Sequence, residues 1–233
     1  MIKISAVIIT YNEERHLEKC LNSLAGIADE VVVVDSFSTD KTESICKKFN
    51  VNFIQQKFLG YIEQKNFVIS KAKHDYIISL DGDEALSNKL KASILKLKQN
   101  WEYDGYYSAR LNNYCGQWIK YSDWYPNRKL RVFKKNSGSW QGINPHDNFK
   151  LNNPKNKGML TGDILHWVHS TYEEHSLKVE NFSTIAAMAF YKKGKKSSVW
   201  KIIFRPAWAF FKAYFLRLGF LDGLNGFIIC VQT

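Results

Sequence analysis

The sequence predicts an α/β fold in which strands and helices alternate, followed by a C-terminal amphipathic helical appendage. Three observations support this prediction. Apolar runs alternate with helical patterns over residues 1–100, which is typical of parallel strands covered by helices on both faces. Polar and acidic residues directly follow several of the apolar runs. Residues 191–233 are instead basic and aromatic. We therefore expect a catalytic domain over residues 1–190, divided into halves at residues 1–100 and 101–190, and a separate appendage over residues 191–233.

Four apolar runs predict the strands. Each is short and rich in β-branched residues, as in KISAVIIT, EVVVVD and DYIISL, and such continuous runs indicate strands buried on both faces. The predicted strands span residues 3–10, 30–35, 51–55 and 75–80.

The segments between these runs carry helical signals. Leucines recur at helical spacing in the first segment, and Ser38, Thr39 and Asp40 supply capping chemistry for the second. Ser87 or Asn88 caps the last. The predicted helices span residues 13–25, 38–49, 61–73 and 87–99.

The composition of the 233 residues excludes several classes of protein. Apolar residues make up 45% and charged residues 24%, which excludes wholesale disorder. A net charge of +11 favours anionic partners. Four cysteines without metal-ligand spacing argue against a disulfide scaffold or a zinc ribbon and favour reduced thiols in the cytosol. No segment looks like a targeting signal, and no apolar stretch reaches the roughly 18 residues of a spanning helix.

Polar clusters follow three of the predicted strands. Thr10, Asn12 and Glu13 follow the first strand, Asp35 ends the second, and residues 81–84 (DGDE) follow the fourth. Ligands of parallel sheets bind beyond the carboxyl ends of the strands. We therefore expect the three clusters to converge on one edge of the sheet.

The DGDE segment places three carboxylates within four residues. Like charges this close repel one another, and a divalent cation removes the repulsion. Hard oxygen ligands favour Mg²⁺ or Mn²⁺, which would also bind the phosphates of a substrate. The alternative is a solvated acidic turn with no ligand.

Several segments of the sequence resemble glycosyltransferase family 2, inverting enzymes with the GT-A fold. The resemblance rests on AVIITYNEE, VVVVDSFSTDKT, Gln64-Lys65-Asn66 and SLDGDE. More narrowly, LDGDE, YPNRKLRVF with the following WQGINPHD, and GFLDGLNGF resemble the branch that adds sugars to lipopolysaccharide cores, related to β-1,4-glucosyltransferases. The resemblance covers nearly the whole chain. It implies a Rossmann-like mixed sheet that binds a nucleotide sugar through residues 1–100 and an acceptor through residues 101–190.

The resemblance implies roles for residues at the strand ends. Thr10, Asn12 and Glu13 would line the nucleotide pocket. Asp35 would hydrogen-bond the base, usually uracil, and Asp81 would lie near the ribose and diphosphate.

Further residues would act on the donor diphosphate. Asp83 would be the principal ligand of the metal, Mg²⁺ or Mn²⁺. Lys65 or Asn66 would steady the donor. Arg128 or Arg131 would help the metal to stabilise the leaving diphosphate.

On the acceptor side, the branch commonly has a catalytic glutamate in a His-Glu pair, where this chain has Asp147. Inversion needs one carboxylate that removes the acceptor proton, so Asp147 is the expected general base, with Asp163 and then Glu84 as substitutes. The alternative for Asp147 is a loop residue that caps a turn. His166 is the expected additional metal ligand, with His169 next, although a lone histidine near aromatic residues is more often structural.

Residues 191–221 contain eight basic residues and no acidic one, with aromatic residues between them. On a helical wheel Lys201, Arg205 and Lys212 lie within about 40° of one another, beside a broad apolar face. This pattern is typical of a helix at a membrane interface. We therefore expect a cytoplasmic enzyme, peripheral on the inner face of the cytoplasmic membrane and attracted to anionic lipid. The alternative is a helix packed on the catalytic domain with its lysines in water.

The expected reaction moves glucose or another hexose from a UDP-sugar to a lipid-linked saccharide such as the lipopolysaccharide core, and nucleic acid is not an expected partner. Two other interpretations remain. A haloacid-dehalogenase-like phosphatase also has Asp-x-Asp after a strand, but that motif lies on its first strand, and Thr or Val stands where this chain has Ala85. A non-enzymatic basic membrane- or RNA-binding module fits the charge but leaves LDGDE and DSFSTD unexplained.

Overall fold

The computed structural model describes residues 1–143, 146–192, 194 and 197–232. Contacts group the chain into two compact units. The first unit is Met1–Arg110 with Arg128–His166, and the second is Leu111–Asn127 with Trp167–Thr233. Asn144 and Pro145 of the predicted acceptor loop, and Lys193, Lys195 and Lys196 of the predicted basic segment, lie outside the described residues. The functional boundary at residue 190 stays a prediction.

The first unit begins with the predicted alternation. Strands β1 (Ile4–Thr10), β2 (Glu30–Asp35), β3 (Asn52–Gln55) and β4 (Tyr76–Asp81) are parallel, in the order β3-β2-β1-β4. Helices α1 (Leu17–Leu24), α2 (Thr42–Lys48) and α3 (Tyr61–Lys71) connect them. The parallel register places Thr10 beside Asp35, and Ile9 beside Asp81, so the polar clusters meet at one sheet edge.

The remaining strands make the sheet mixed. The elements that follow are β5 (Glu84–Leu86), α4 (Asn88–Leu97), β6 (Gly105–Tyr114), β7 (Gln117–Ile119), β8 (Asn127–Lys134), β9 (Gly138–Ile143), β10 (His146–Leu151) and β11 (Lys157–His169). Strand β8 lies antiparallel beside β4, and the order continues β8-β6-β11-β5. Strands β9 and β10 form a separate antiparallel pair.

Both faces of the sheet are buried, as the apolar runs predict. Consecutive residues of β1 pack in different clusters: Ile8 packs with Leu17 and Ile94, whereas Val7 packs with Phe133 and Val68. Because side chains alternate along a strand, this division means that each face has its own apolar core.

Within residues 1–100, two predicted helices begin later than expected, and strand β5 was not predicted. Helices α1 and α2 begin at Leu17 and Thr42, several residues after the predicted starts, because the preceding residues form hydrogen-bonded loops at the sheet edge. Strand β5 has only three residues and carries no periodic signal. The predicted cap of α4 is confirmed, since Ser87 Oγ accepts from Leu90 N at 3.2 Å.

The second unit contains α5 (Tyr172–Lys192), α6 (Val199–Phe211) and α7 (Gly223–Gln232). In it, the GFLDGLNGF segment has a structural role. The Asp222 carboxylate accepts from the backbone N–H groups of Lys120 and Tyr121 at 2.9–3.2 Å. A side chain at Gly226 would overlap the carbonyl of Gly219, so glycine permits the close approach of these backbones.

Helix α6 exposes its apolar side chains. None of its residues is buried, and Trp200 and Trp208 are 69% and 60% exposed. Among the described helices, no single one is long and apolar enough to cross a membrane. Val199–Leu216 and Gly219–Gln232, bent by 73°, meet the length and composition criteria only as a pair.

Candidate active site

The loops after β1 and β2 are tied together by side chains predicted to bind a nucleotide. Asn12 N donates to Ser38 Oγ at 2.8 Å, and Thr39 N donates to Asn12 Oδ1 at 2.8 Å. Asp35 is fully buried and accepts from both the backbone and the hydroxyl of Ser38. Asn12 has a φ of 53°, a left-handed conformation that asparagine tolerates better than most residues.

A second set of contacts holds the same loops. Glu13 N donates to Thr42 Oγ1 at 3.0 Å, and Glu14 N donates to Asp40 Oδ2 at 2.9 Å. Burial would raise the pKa of Asp40, but hydrogen bonds, from Thr42 first, lower it below its usual value. The edge of the sheet is therefore a preformed, hydrogen-bonded surface.

The glycine of the DGDE segment lets this loop approach β1. A Cβ at Gly82 would lie 2.9 Å from Thr10 Oγ1 and 3.2 Å from Glu13 Cγ. Thr10 Oγ1 is buried and has no hydrogen-bond partner within the described part of the chain. Such an unpaired hydroxyl is costly unless a ligand supplies a partner, which fits its predicted place in the nucleotide pocket.

Basic residues neutralise two of the three DGDE carboxylates. Arg131 Nη2 lies 2.8 Å from Asp81 Oδ2 and 2.9 Å from Glu84 Oε1, and Arg110 Nη1 lies 3.4 Å from Glu84 Oε1. Burial would raise the pKa of Asp81, but Arg131 and Lys65 hold it well below its usual range. The sequence argument relied on a divalent cation to relieve the repulsion, whereas the structure relieves most of it with arginine and lysine.

Lys65 joins Asp81 and Asp147, the carboxylates predicted to serve the donor and the acceptor. Its Nζ lies 3.2 Å from Asp81 Oδ1 and 2.8 Å from Asp147 Oδ2. The side chains of Lys65 and Asp147 are only 6% and 8% exposed. Lys65 Nζ also lies 4.4 Å from the centre of the Trp140 ring, and Arg131 Cζ lies 5.2 Å from it. Trp140 thus forms an aromatic wall against which both cations pack.

Asn66 positions this wall. Its Nδ2 donates to Trp140 O at 3.1 Å, and its Oδ1 accepts from Trp140 N at 3.0 Å. These contacts fasten helix α3 to strand β9. The structure therefore shows a positioning role for Asn66, while its predicted contact with the donor stays a prediction.

Asp83 and His166 are the residues best placed for a metal. Asp83 Oδ2 lies 3.3 Å from His166 Nε2, and the register of β5 and β11 places His166 opposite Glu84. Carboxylate and imidazole donors this close fit one divalent cation. No group of three or more His, Cys, Asp or Glu side chains in the described chain could hold a metal. A cation here would therefore take its remaining ligands from substrate phosphates and water, as Mg²⁺ usually does.

A cavity of about 650 Å³ lies in the first unit, beside the ion pairs that Lys65 makes with Asp81 and Asp147. Asp81, Asp147, Lys65, Arg128 and Arg131, all predicted from the sequence, line it. Sequence reasoning missed other lining residues, which are Tyr61, Tyr107, Arg110, Lys129, Lys150 and Lys157. They lie on strands β6, β8, β10 and β11 and helix α3, and of them only Lys129 falls within a segment quoted above, YPNRKLRVF.

The histidine named second for the metal lies elsewhere. His169 belongs to the second unit, where its ring stacks on His175 with centres 4.7 Å apart and meets Tyr114 edge to face. Tyr114 donates to or accepts from His175 Nδ1 at 2.9 Å, and burial raises the pKa of Tyr114 to about 12. This cluster has the aromatic packing of a core.

Relatives of known sequence match almost the whole chain. The sequence profile described as "Glycosyl transferase family 2" matches residues 5–161. An "Uncharacterized glycosyltransferase" of Rickettsia bellii is 33% identical over 239 residues, covering 97% of this chain and 80% of the relative. The "Lipopolysaccharide core biosynthesis glycosyltransferase LpsC" of Rhizobium meliloti is 30% identical over 240 residues, covering 97% of this chain and 86% of that protein.

Solved structures with the same fold include S. aureus TarS. TarS 1-349 aligns with a TM-score of 0.53 at 15% identity, covering 99% of this chain and 89% of that chain. The complex of TarS 1-349 with UDP-GlcNAc aligns with a TM-score of 0.53 at 14% identity, covering 99% of this chain and 90% of the TarS chain. This likeness confirms the predicted GT-A fold class.

Proposed function

Because the chain belongs to glycosyltransferase family 2, we propose that it moves a hexose from a UDP-sugar to a lipid-linked saccharide such as the lipopolysaccharide core. One observation carries the proposal: the cavity wall contains both Asp81, assigned to the donor, and Asp147, assigned to the acceptor, joined by Lys65. LpsC, named for core biosynthesis, and TarS, solved with UDP and with UDP-GlcNAc, support the choice of substrates. Family membership excludes the phosphatase and non-enzymatic interpretations.

The proposed reaction is a single displacement. Asp147 accepts the proton of an acceptor hydroxyl while that oxygen bonds to the anomeric carbon, and the bond from this carbon to the diphosphate oxygen breaks. UDP leaves with the bonding electron pair, and the configuration inverts. Glu84 is an unsuitable base because it is fully buried and ion-paired with Arg131 and Arg110.

The chain neutralises the leaving group from two directions. A divalent cation held by Asp83 and His166 would supply positive charge to the diphosphate. Arg131 keeps Nε and Nη1 without a hydrogen-bond partner within the described residues, so the guanidinium retains donors beyond its ion pairs. Asp81 fixes the orientation of that guanidinium from the sheet edge.

The base assignment is tested with Asp147→Asn, which keeps the size of the side chain but cannot take the proton. We expect kcat to fall about 10²–10⁴-fold with the Kd for UDP nearly unchanged. Asp75→Asn, an exposed aspartate at the start of β4, is the matched control and should transfer normally. Normal kcat in Asp147→Asn would return the role to Asp163.

Metal dependence through Asp83 is tested separately. Asp83→Asn should abolish transfer, and excess chelator should do the same to the wild-type protein, since both remove the charge that stabilises the leaving diphosphate. Full activity in chelator would reject this part of the proposal. Calorimetry with UDP tests the donor site, where Asp35→Ala should bind UDP more weakly.

We also propose that α6 places the enzyme on the inner face of the cytoplasmic membrane. Its aromatic residues, none of them buried, lie on the same helix as Lys201 and Arg205, which matches an interfacial helix and anionic lipid. Flotation with phosphatidylglycerol vesicles should exceed flotation with phosphatidylcholine vesicles and weaken in salt. Lys201→Gln with Arg205→Gln should remove the lipid preference. No flotation with either vesicle would reject membrane contact.

A further inference from the structure

We propose that the cavity binds an anionic group, a phosphate or a carboxylate, on the acceptor saccharide, and that Arg110, Lys129 and Lys150 hold it. This inference rests on the proposed transferase function and names the chemical class of its acceptor. It starts from the charges that line the cavity.

Cations greatly outnumber carboxylates in the cavity wall. Among the described lining residues, two are carboxylates, Asp81 and Asp147. Seven are cations: Lys65, Arg110, Arg128, Lys129, Arg131, Lys150 and Lys157. Seven minus two leaves an excess of five positive charges. A concave surface of one sign focuses its field on a ligand of the opposite sign.

The ion pairs of the site use only three of the seven cations. Lys65, Arg131 and Arg110 pair with Asp81, Asp147 and the adjacent Glu84, which does not line the cavity. No salt bridge joins the other four cations to a carboxylate within the described ranges. Their positive charge therefore remains for a ligand.

Buried donors point the same way. The buried Nε of Arg110 has no hydrogen-bond partner in the part of the chain that the structure describes. The Nε and Nη1 of Arg131 also lack one, but they are assigned above to the leaving diphosphate. Buried guanidinium donors are costly to leave unpaired, and a phosphate or carboxylate oxygen is their strongest acceptor.

Lys129 is the most informative of the unpaired cations. It is half-buried on β8, near enough to Arg110 and Arg131 for their charges to act on it. Burial first, and then these two arginines, lower the pKa of Lys129. A bound anion would relieve this crowding. Arg128, Lys150 and Lys157 are exposed and line the mouth of the cavity, where they would attract the acceptor.

The donor accounts for only part of this charge. Lys65, Arg128 and Arg131, which are predicted to act on its diphosphate, line the same cavity, whereas Thr10, Asn12 and Asp35 of the nucleotide edge do not. A divalent cation at Asp83 would also balance the diphosphate charge. Of the remaining cations, Lys129 lies near enough to Asp147 for their charges to interact, and the acceptor hydroxyl must be placed at Asp147 for proton removal.

Calorimetry on the protein saturated with UDP and Mn²⁺ tests the proposal with three probes: glucose 6-phosphate, glucuronate and methyl glucoside. We expect at least one anionic sugar to bind about tenfold or more tightly than methyl glucoside. Tighter binding of glucose 6-phosphate would identify the anionic group of the acceptor as a phosphate. Tighter binding of glucuronate would identify it as a carboxylate. Equal binding of the three probes, or no binding of any, would overturn the proposal.

Variants locate the site. Lys129→Gln, and the exposed Lys150→Gln in case the first fails to fold, should reduce the preference about tenfold while UDP affinity stays unchanged. Lys155→Gln removes an exposed charge outside the cavity lining and should leave the preference intact. If Lys129→Gln weakens UDP instead, the residue serves the donor and the inference is wrong. Wild-type protein that fails to bind UDP would reject the proposed function itself.

Discussion

Substituting Lys65 by methionine should strongly destabilise the protein, because it leaves a buried carboxylate without its cation. Lys65 Nζ lies 2.8 Å from Asp147 Oδ2, and the two side chains are 6% and 8% exposed. Within the described residues, no other hydrogen bond or ion pair reaches the Asp147 carboxylate, and Lys129 and Arg131 act on it only through their charge, whereas Asp81 keeps its ion pair with Arg131. Methionine retains most of the aliphatic stem beside Trp140, so the change removes mainly the charge.

The expected loss follows from this burial. Removing one partner of a buried ion pair costs about 3–5 kcal/mol, and the lost contact of Nζ with the Trp140 ring adds about 1 kcal/mol. For a chain of this length, 1 kcal/mol corresponds to a shift in Tm of about 2–4 °C. We therefore expect Lys65→Met to lower Tm by on the order of 10 °C at pH 7.

Thermal unfolding of four proteins measures this coupling: the wild type, Lys65→Met, Asp147→Asn and the double variant. The double variant contains no unpaired charge, so it should recover much of the stability that Lys65→Met loses, and the cycle should give an interaction of several kcal/mol. A Tm within about 2 °C of wild type for Lys65→Met corresponds to a loss of about 1 kcal/mol or less and would contradict the prediction. So would a double variant no more stable than Lys65→Met.

Three other predictions concern pH and the second unit. The folded-state pKa of Asp81 is depressed, so the ionised carboxylate stabilises the fold above its unfolded pKa of about 3.9, and this stabilisation is lost as pH falls below that value. In urea unfolding from pH 7 to pH 3, Arg131→Gln should therefore lose less stability than the wild type as pH falls. Parallel pH curves for the two proteins would contradict this prediction. Asp222→Asn should cost about 1–3 kcal/mol and speed hydrogen exchange at the Lys120 amide, with unchanged exchange as the contrary result. Gly226→Ala should cost on the order of 1–3 kcal/mol in thermal unfolding through overlap with a carbonyl, and an unchanged Tm would show that the backbones can separate.

The first half of the fold was predictable because its signals are local. An apolar run such as EVVVVD can be satisfied only by a strand buried on both faces, and the parallel order then brings Thr10 beside Asp35. Ser87 was predictable as a cap for the same reason, since its hydroxyl bonds to a residue three positions away. Element ends were less predictable because loop hydrogen bonds, such as that from Glu14 N to Asp40, compete with the first turn of each helix.

The electrostatic partners of the site were not predictable, because they come from distant strands. Arg131 and Arg110 are separated from Glu84 by 47 and 26 residues, and no spacing rule connects them. The sequence identified the acidic cluster and assigned its neutralisation to a metal. Lys65 and Arg131 were predicted as donor residues, but their pairing with the carboxylates, and the part played by Arg110, become visible only after β6 and β8 are placed beside β4 and its neighbours.

The C-terminal composition indicated an unusual surface but not its geometry. The helical wheel that contains Lys201 and Arg205 predicted one basic stripe and one apolar face. The sequence did not show whether either of them packs on the catalytic domain. In the structure α6 buries none of its residues, so both the stripe and the aromatic face are exposed. Large exposed apolar patches mark interaction sites, which is why membrane contact is proposed.

Lys65 makes the positions of the two substrates interdependent. It contacts Asp81 on strand β4 and Asp147 on strand β10, while its own helix is fastened to β9 through Asn66 and Trp140. Because Lys65 pairs with both carboxylates, a movement of Asp81 or of Asp147 also disturbs the ion pair of the other. If Asp147 is the base, its distance from the donor is therefore set by the packing of α3 rather than by the loop after β9. Proton removal and departure of the diphosphate would then occur in a geometry that exists before either substrate binds, which is the condition under which preorganised charge accelerates a displacement most.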